Sequence, residues 1–344
     1  MRDVLEDLDR LLAVEGRVAL ATVIHVWGSA PRRPGGKMVV APSGAVAGSV
    51  SGGCVEGAVV EGAMAVLESG EPRLLEFGVA DAEAWAVGLS CGGRIEVWVE
   101  AVIAGDPVFE ALRADLCGDR LVASGTVLTG AARGRRVLLS PEGPRRGAAL
   151  PADLEEGCRS AAEEAFASFG TVRRELEEQG AEVFVEAHPP RPELVLVGAV
   201  HVAVHLVTLA RELGFRTVVL DPRSAFATAE RFAHADELIR GWPPAALDAC
   251  RLDEGTYLAV LSHDPKIDLP ALEVALRRPL RYIGALGSKK THQKRVAALA
   301  ERGFSEERIA RIHAPIGIDL GGRRPEEIAV SILAELVAAR HGRR

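Results

Sequence analysis

The sequence lacks most of the features that would place a protein outside the cell or on a nucleic acid. Its five cysteines include no Cys-x-x-Cys pair, which argues against a zinc site. The formal net charge is −7, so there is no general electrostatic case for binding nucleic acid or an anionic membrane. Residues 1–12 form an acidic amphipathic pattern, which is typical neither of a signal peptide nor of a transmembrane span. We therefore expect a cytoplasmic protein with reduced thiols, no metal site, and no nucleic-acid or membrane partner.

The length and composition are typical of a globular chain with two domains. The 344 residues are 48% hydrophobic and 26% charged, which suffices for two cores and argues against disorder. The proline-rich segment His188–Pro192 predicts a stiff linker. We predict an α/β protein with an N-terminal mixed α/β domain at 1–188 and a Rossmann-like C-terminal domain with a parallel sheet at 189–344. Within the first domain, residues 154–179 predict a mostly helical segment.

The stretch at residues 48–57 places one thiol where a strand pattern gives way to a helix pattern. A cysteine at a helix start lies among unpaired backbone N–H groups and at the positive end of the macrodipole, and both favour the thiolate. Cys54 is therefore a candidate reactive residue. The alternative is that Gly52 and Gly53 form a tight turn and Cys54 is a small buried hydrophobe, which the spacing alone favours. A second Cys-Gly-Gly turn begins at Cys91, with a β-bulge as its alternative interpretation.

The segment at residues 31–37 is predicted to be a basic, glycine-rich loop between two strands. Two prolines and two glycines prevent it from continuing a helix or a strand. Gly35, Gly36 and Lys37 give it a composition that suits a phosphate or another oxyanion. A solvated surface turn is an equally good interpretation of the same residues.

The second half begins with a βαβ pattern. The apolar run Glu193–Val197 is typical of a strand that is buried on both faces of a parallel sheet. It leads into Gly198 and a helical pattern, and Asp221 closes the next strand about 20 positions later, as in a dinucleotide-binding fold. Val200 replaces the second glycine of the fingerprint, which normally lets the backbone approach a pyrophosphate. The pattern therefore indicates the fold more strongly than it indicates NAD(P) binding.

Several further loops follow strands of this half, and ligands in open α/β sheets bind beyond the carboxyl ends of the strands. A helix start at Gly287-Ser288-Lys289 is suited to an anion, although a capped helix with a solvated basic face has the same pattern. His263 and Asp264 are candidates as well, with loop-shaping hydrogen bonds as the alternative. The candidate binding residues at this edge are Gly198, Ala199, Val200, His201, Asp221, Arg223, Ser262, His263, Asp264, Gly284, Gly287, Ser288 and Lys289.

Taken together, these separated stretches resemble one family, the xanthine dehydrogenase accessory proteins, also called XdhC/CoxI. The resemblance covers nearly the full chain, and it departs from the family pattern chiefly at Val200, where glycine is usual. The stretches that carry it are residues 28–38, 52–56 and 91–93 in the first half, and residues 198–203, 262–266, 282–289 and 313–317 in the second.

The resemblance implies a cytoplasmic factor that binds molybdenum cofactor. It implies support for sulfuration of that cofactor with a cysteine desulfurase, delivery to a molybdenum hydroxylase apoprotein such as xanthine or carbon monoxide dehydrogenase, and a homodimer. Molybdopterin carries a metal-chelating dithiolene and a phosphate or pyrophosphate tail. Three groups of residues could hold the tail: Gly35-Gly36-Lys37, Gly52-Gly53, or the loops of the second domain. Cys54, together with Cys91, would lie near the metal.

Two other hypotheses remain open from the sequence. An NAD(P)-dependent oxidoreductase is suggested by the βαβ unit and Asp221, but no paired acid and base near a substrate pocket is evident. A thiol enzyme with Cys54 as nucleophile would need His25 or His263 as its base. The carrier hypothesis describes a binding protein more than an enzyme.

Overall fold

The computed structural model of the chain describes residues 1–28, 32–78 and 93–343. The chain divides into two compact units, Met1–Pro190 and Arg191–Arg344, which we call unit 1 and unit 2. The division falls within the proline-rich linker. No helix in these described ranges is long and apolar enough to cross a lipid bilayer.

In the described part of unit 1, five strands form a first antiparallel sheet. They are β1 (Arg17–Trp27), β2 (Lys37–Val40), β3 (Val46–Gly48), β4 (Arg73–Phe77) and β5 (Arg94–Ile103), in the order β3-β2-β1-β5-β4. Helix α1 (Leu5–Glu15) precedes the sheet, and helix α2 (Glu56–Ser69) follows β3. The apolar side of α2 packs on the sheet through Val59, Ala63, Val66 and Leu67. The segment with Cys54 is therefore the connection from β3 to α2.

A second antiparallel sheet completes unit 1. Its described strands are β6 (Val122–Val127), β7 (Arg136–Leu139), β8 (Arg146–Gly147), β9 (Thr171–Leu176) and β10 (Ala181–His188), in the order β8-β7-β6-β10-β9. Helix α3 (Pro107–Cys117) and helix α4 (Ala152–Ser168) accompany this sheet. The predicted helix over 154–179 is wrong at its end. Phe169 takes a left-handed conformation, Gly170 follows, and the next residues pair with β10 as β9.

Unit 2 is a parallel sheet. Of the residues described there, the strands are β11 (Glu193–Val197), β12 (Arg216–Leu220), β13 (Glu237–Ile239), β14 (Thr256–Val260), β15 (Tyr282–Ala285) and β16 (Ile312–His313). Their order is β13-β12-β11-β14-β15-β16, which is the Rossmann order with its reversal between β11 and β14. The predicted α/β fold class, with a Rossmann-like second half, is confirmed.

Helices cover both faces of this sheet. They are α5 (His201–Glu212), α6 (Pro243–Leu247), α7 (Pro265–Leu276), α8 (Lys289–Glu301), α9 (Glu306–Ile309) and α10 (Pro325–Arg340). Alternate residues of β11 belong to two different cores: Leu194 and Leu196 pack with α5 and α10, whereas Val195 and Val197 pack with α7. The carboxyl ends of β11, β12, β14 and β15 lead into the loops that the sequence singled out.

Candidate functional site

The loop that carries Cys54 is organised around the carboxylate of Glu56, the first residue of α2. We call residues 49–56 the Cys54 loop. Two hydroxyls and four backbone N–H groups of this loop donate to that single carboxylate. The donors are Ser49 Oγ and Ser51 Oγ, both at 2.6 Å, and the N–H groups of Ser51 at 2.9 Å, Gly52 at 3.0 Å, Gly53 at 2.9 Å and Val55 at 3.2 Å. The donors that an external anion would need are therefore already used.

The ionisation of Glu56 agrees with this geometry. Burial raises the pKa of the Glu56 carboxyl, but the hydrogen bonds from Ser49, Ser51 and the loop backbone outweigh that effect and lower the pKa from 4.5 to about 2. Glu56 is thus a carboxylate at neutral pH. It takes the place that a bound oxyanion would have in such a loop, and it fixes the loop conformation.

Cys54 itself is half-buried at the entrance to α2. Its N–H donates to Ser51 Oγ at 3.0 Å, and its side chain packs on the core beneath α2. By contrast, burial raises the pKa of Cys158 to about 11 and that of Cys250 to about 12, so both remain thiols at neutral pH. Cys54 differs from these two cysteines in its position, because it lies in a hydrogen-bonded loop between a strand and a helix. Cys91, the second predicted cysteine, lies outside the described residues.

The basic loop at residues 31–37 has an internal role at its described end. The Gly35 N–H donates to the Val23 carbonyl at 2.8 Å, and the Gly36 N–H donates to the Arg33 carbonyl at 3.0 Å. Lys37 is 4% exposed, and its Nζ donates to Glu186 Oε2 at 2.6 Å and to Thr22 Oγ1 at 3.2 Å; because its charge is paired inside unit 1, Lys37 is not a surface cation.

The partners of Lys37 form a buried polar cluster. Burial raises the pKa of Glu186, but the charge of Lys37 and of its other neighbours lowers the pKa to about 2. Burial lowers the pKa of His188 to about 4, against the opposing effect of Glu186, so His188 is neutral at pH 7. His188 Nε2 lies 2.8 Å from Ser124 Oγ. The cluster is hydrogen-bonded, as a buried charge pair must be to persist.

In unit 2, the ends of β11 and β14 come together at Gly198. Its φ is +114°, and a Cβ there would lie 2.7 Å from the Ser262 nitrogen. Only glycine fits such a close backbone approach. Gly198 and Ser262 are therefore neighbours at the switch point of the sheet, between β11 and β14.

Asp221 is fully buried, and its carboxylate is saturated by partners of its own unit. The Ala199 N–H donates to one oxygen at 2.8 Å, and Arg223 donates through its backbone N–H at 2.8 Å, Nε at 2.9 Å and Nη2 at 2.7 Å. Burial raises the pKa of Asp221, but these hydrogen bonds outweigh it and hold the pKa below its usual range. Each oxygen of the Asp221 carboxylate already accepts two hydrogen bonds, so neither is available to a ribose hydroxyl.

The other residues of the dinucleotide fingerprint are also engaged within unit 2. Val200 is the N-cap of α5 with extended backbone angles, and its side chain packs on the core with α5. The Ala199 N–H, which would face a pyrophosphate, is held by Asp221. His201 is exposed and stacks on His205 with ring centroids 5.1 Å apart. Neither this geometry nor the comparisons below support NAD(P) binding.

The loops after β14 and β15 are joined by a buried network that the sequence did not reveal. Ser262 Oγ donates to Asp268 Oδ1 at 2.5 Å, and Arg295 Nη2 donates to Asp268 Oδ2 at 2.5 Å and to the Leu286 carbonyl at 2.8 Å. Asp268 is 1% exposed and Arg295 is 5% exposed. Arg295 lies one helical turn before the buried Leu299. A basic residue on the apolar face of a helix is the sequence feature that could have indicated a buried cation here.

Other predicted residues of this edge have different surroundings. Asp264 caps α7 by accepting from the Lys266 N–H at 2.9 Å, and exposed His263 has a φ of +61°, an uncommon conformation for a residue other than glycine. Gly284 lies inside β15, where a Cβ would meet Ile316 Cδ1 at 2.4 Å, so it is a packing position and does not face a ligand. Gly287 and Ser288 lead into α8, whose first residue Lys289 is exposed.

The loop after β16 is fixed by Glu335 of α10, a helix whose sequence pattern by itself indicates only a structural role. Glu335 accepts from Tyr282 Oη at 2.6 Å, from the Gly317 N–H at 2.6 Å, and pairs with His313 Nδ1 at 2.8 Å. This network holds the His313–Gly317 motif against β15. In the described ranges, no group of three or more His, Cys, Asp or Glu side chains is placed to hold a metal ion.

Comparisons with known proteins point to one family for both units. The model of the XdhC and CoxI family matches residues 11–78, and the model of the XdhC Rossmann domain matches residues 194–336. The chain is 28% identical over 336 residues to a Bacillus subtilis (strain 168) protein whose name describes it as a probable xanthine dehydrogenase subunit. That similarity covers 97% of this chain and 96% of the Bacillus subtilis protein.

Two further similarities span the chain. It is 28% identical over 335 residues to the molybdenum cofactor insertion chaperone PaoD of Escherichia coli (strain K12), covering 97% of this chain and 86% of that protein. A crystal structure described as a xanthine dehydrogenase from Bacillus halodurans matches with a TM-score of 0.79 and 26% identity, covering 99% and 96% of the two chains. Since models of one family match both units and the similarity extends over nearly the whole length, the protein belongs to the XdhC and CoxI family.

Proposed function

We propose that this protein is an accessory chaperone that binds molybdenum cofactor and delivers it to a molybdenum hydroxylase apoprotein such as xanthine or carbon monoxide dehydrogenase. The observation that carries the proposal is the full-length similarity to a relative named a molybdenum cofactor insertion chaperone, within a family matched in both units. The cofactor is the cargo of such a protein. No paired acid and base is needed for this function.

The residues present fit a cargo of this chemistry. A molybdopterin cargo has an anionic phosphate tail and a metal held by its own dithiolene, so the protein needs anion donors for the tail and no metal-ligand cluster of its own. Unit 2 offers a buried guanidinium beside a helix N-terminus at the loop after β15. Unit 1 offers Cys54 on a loop that Glu56 holds in one conformation.

Cys54 is the residue that we propose to lie beside the metal of the cargo. A thiol that contacts the metal of a bound cofactor must be accessible to that cofactor and fixed in position. Cys54 meets both conditions, because it is only half-buried and lies on a hydrogen-bonded loop. A cysteine desulfurase would supply the sulfur for cofactor sulfuration. The family resemblance further supports action as a homodimer in the cytoplasm.

A reconstitution assay tests this proposal. Full-length protein is loaded with molybdenum cofactor and mixed with the cofactor-free hydroxylase of its host, and the recovered hydroxylase activity is measured. We expect Cys54→Ala to lower the recovered activity about tenfold, the size of effect seen when a metal centre loses a supporting contact. Cys117→Ala is the matched control, because Cys117 is exposed at the end of α3 and should transfer cofactor like the wild type. Equal recovery with Cys54→Ala would remove Cys54 from the mechanism, and no recovery with the wild type would contradict the proposed function.

A further inference from the structure

Arg295 of α8 is a buried cation with one amino group left unpaired. The residue is 5% exposed, and its Nη2 is fully engaged with Asp268 and the Leu286 carbonyl. Nη1 is buried, and no residue in the described ranges accepts a hydrogen bond from it. A buried donor without an acceptor is costly, so native structures rarely leave one unless a ligand or a water completes it.

The unpaired Nη1 lies beneath Gly287. A Cβ built on Gly287 would come within 3.3 Å of Arg295 Nη1 and of Thr291 Cγ2, and Gly287 has a φ of +141°, which favours glycine. A side chain at this position would therefore press on the guanidinium from the side of the loop. We call residues 286–290 the α8 loop.

The N-terminus of α8 adds donors and charge to the same place. Ser288 caps the helix by accepting from the Thr291 N–H at 3.1 Å, whereas the backbone N–H groups of Lys289 and Lys290 have no acceptor among the described residues. Two lysines in the first turn oppose the helix macrodipole, and no acidic residue accompanies them. A sequence that breaks a local stability rule in this way indicates a functional position.

The two predicted anion sites of unit 1 cannot serve in the same way. The donors of the Cys54 loop are held by Glu56, and the cation of the Gly35–Lys37 segment is held by Glu186. The N–H groups of Gly35 and Gly36 bond to main-chain carbonyls. Of these three predicted anion sites, the α8 loop is the one whose donors have no acceptor in the described part of the chain.

We propose that the α8 loop, together with Arg295 beneath it, is an anion site that binds the phosphate or pyrophosphate group of the cofactor tail. The identity of the ligand rests on the proposed function, whereas the existence of the anion site does not. The shared chemistry is a phosphate or pyrophosphate dianion, which would accept from the backbone of Lys289 and Lys290 and attract both lysine ammonium groups.

Calorimetric titration of the full-length protein with inorganic pyrophosphate tests the site without the cofactor. We expect saturable binding to the wild type and a loss of affinity of about tenfold in Lys289→Gln/Lys290→Gln, because two charge-assisted contacts are removed. Lys294→Gln is the matched control: it neutralises an exposed lysine of the same helix one turn later and should change the affinity less than about twofold. Inorganic phosphate, titrated in parallel, reports whether one phosphate group suffices.

A second variant tests the space beneath the loop. Gly287→Ala places a Cβ against Arg295 Nη1, and we expect it to weaken pyrophosphate binding about fivefold or more while the protein remains folded by circular dichroism. Gly303→Ala is its control, because Gly303 also has a positive φ of +85° but a Cβ there meets nothing within 4 Å. Affinities that fall equally in both alanine variants would assign the loss to backbone strain and overturn the role of Arg295.

The outcomes separate this site from the proposed function. Absence of pyrophosphate binding to the wild type, or equal binding to wild type and Lys289→Gln/Lys290→Gln, overturns the anion site. Lysine-dependent pyrophosphate binding without any cofactor transfer to the hydroxylase supports the site and contradicts the proposed function. Normal transfer by the lysine variant supports the proposed function and overturns the assignment of the cofactor tail to this site.

Discussion

The Cys54 loop of unit 1 and the α8 loop of unit 2 both lead from a strand into a helix, yet they use their donors in opposite ways. In the Cys54 loop, the carboxylate of Glu56 accepts from the loop itself. In the α8 loop, the backbone N–H groups of two lysines have no internal acceptor among the described residues. The same holds for the buried amino group of Arg295 beneath the loop. The first loop is closed by its own anion, and the second is open to an external one.

This difference indicates two different functions, presentation of a side chain and binding of an anion, for loops whose glycine-rich sequences look alike. A loop with an internal carboxylate is rigid and suits the presentation of a side chain, here Cys54. A loop with unpaired donors loses stability in the absence of a ligand and gains it on binding. We therefore expect changes in unit 1 to alter the free energy of unfolding, and changes in the α8 loop to alter anion affinity.

The largest effect should come from Lys37, the cation that the sequence placed in a phosphate loop. Lys37→Met leaves Glu186 buried without its main partner, and loss of one partner of a buried pair costs about 3–5 kcal/mol. Urea unfolding measures this, and pyrophosphate affinity should stay unchanged. Arg33→Met, in the same segment but exposed, is the control and should stay within about 0.5 kcal/mol. A Lys37→Met protein of normal stability that binds pyrophosphate poorly would reverse the comparison.

The next effect should come from Glu56. Glu56→Ala leaves the loop hydroxyls and N–H groups without their shared acceptor, and we expect a loss of about 2 kcal/mol in the free energy of unfolding. Water can reach part of this loop, so the loss is smaller than for Lys37. Glu61→Ala, on the exposed side of the same helix, should cost less than about 0.5 kcal/mol. If the two alanine variants were equally stable, Glu56 would not be the centre of the loop.

The pH dependence of the Glu56 effect follows from its lowered pKa. The folded-state pKa is about 2 and the ordinary value is 4.5, so the stabilisation is fully present above pH 4.5 and is lost as the pH falls toward 2. Since Glu56 is partly exposed, we expect the stability difference between wild type and Glu56→Gln to shrink by about 1–2 kcal/mol over that range. Urea titrations at pH 7, 5, 4 and 3 check this. A difference that does not vary with pH would mean that ionised Glu56 contributes nothing special.

The smallest effect on stability should come from the α8 loop, and its sign is opposite. Lys289→Gln removes a cation from the positive end of a helix dipole, so the free energy of unfolding should rise by about 0.3 kcal/mol. The same variant should bind pyrophosphate more weakly. Thermal unfolding at low ionic strength, beside Lys294→Gln, measures the gain. A clear loss of stability in Lys289→Gln would indicate that the lysine has a structural partner and no role in binding.

The fold could be predicted from the sequence where the signal is local. Apolar strand runs and the glycine after β11 specify the parallel sheet, because strands buried on both faces have few other interpretations. The strand β9 escaped prediction because most of residues 171–176 are polar and form a strand only by pairing with β10. The pairing of β9 with β10 cannot be predicted from the local sequence pattern of either strand alone.

The site could be predicted only in part for a related reason. Lys37 lies in a basic, proline-rich and glycine-rich segment that is typical of a surface turn, but its partner Glu186 belongs to β10, far along the chain. Asp221 lies at the expected position for a ribose ligand, yet Arg223, two residues later, occupies its carboxylate. Arg295 was missed because its partner Asp268 lies on another helix. The contacts of Lys37 and Arg295 depend on the tertiary structure, whereas that of Asp221 is local and depends on the conformation of the turn after β12.

The most direct test of the account is the pterin and molybdenum content of the full-length protein, purified from cells that make molybdenum cofactor. We predict that pterin, measured by fluorescence after oxidation, and molybdenum, measured by mass spectrometry, co-purify with the wild type in similar amounts. Their content should fall in Lys289→Gln/Lys290→Gln and remain unchanged in Lys294→Gln. A wild-type protein with no more pterin and molybdenum than an unrelated protein purified from the same cells would contradict the carrier function.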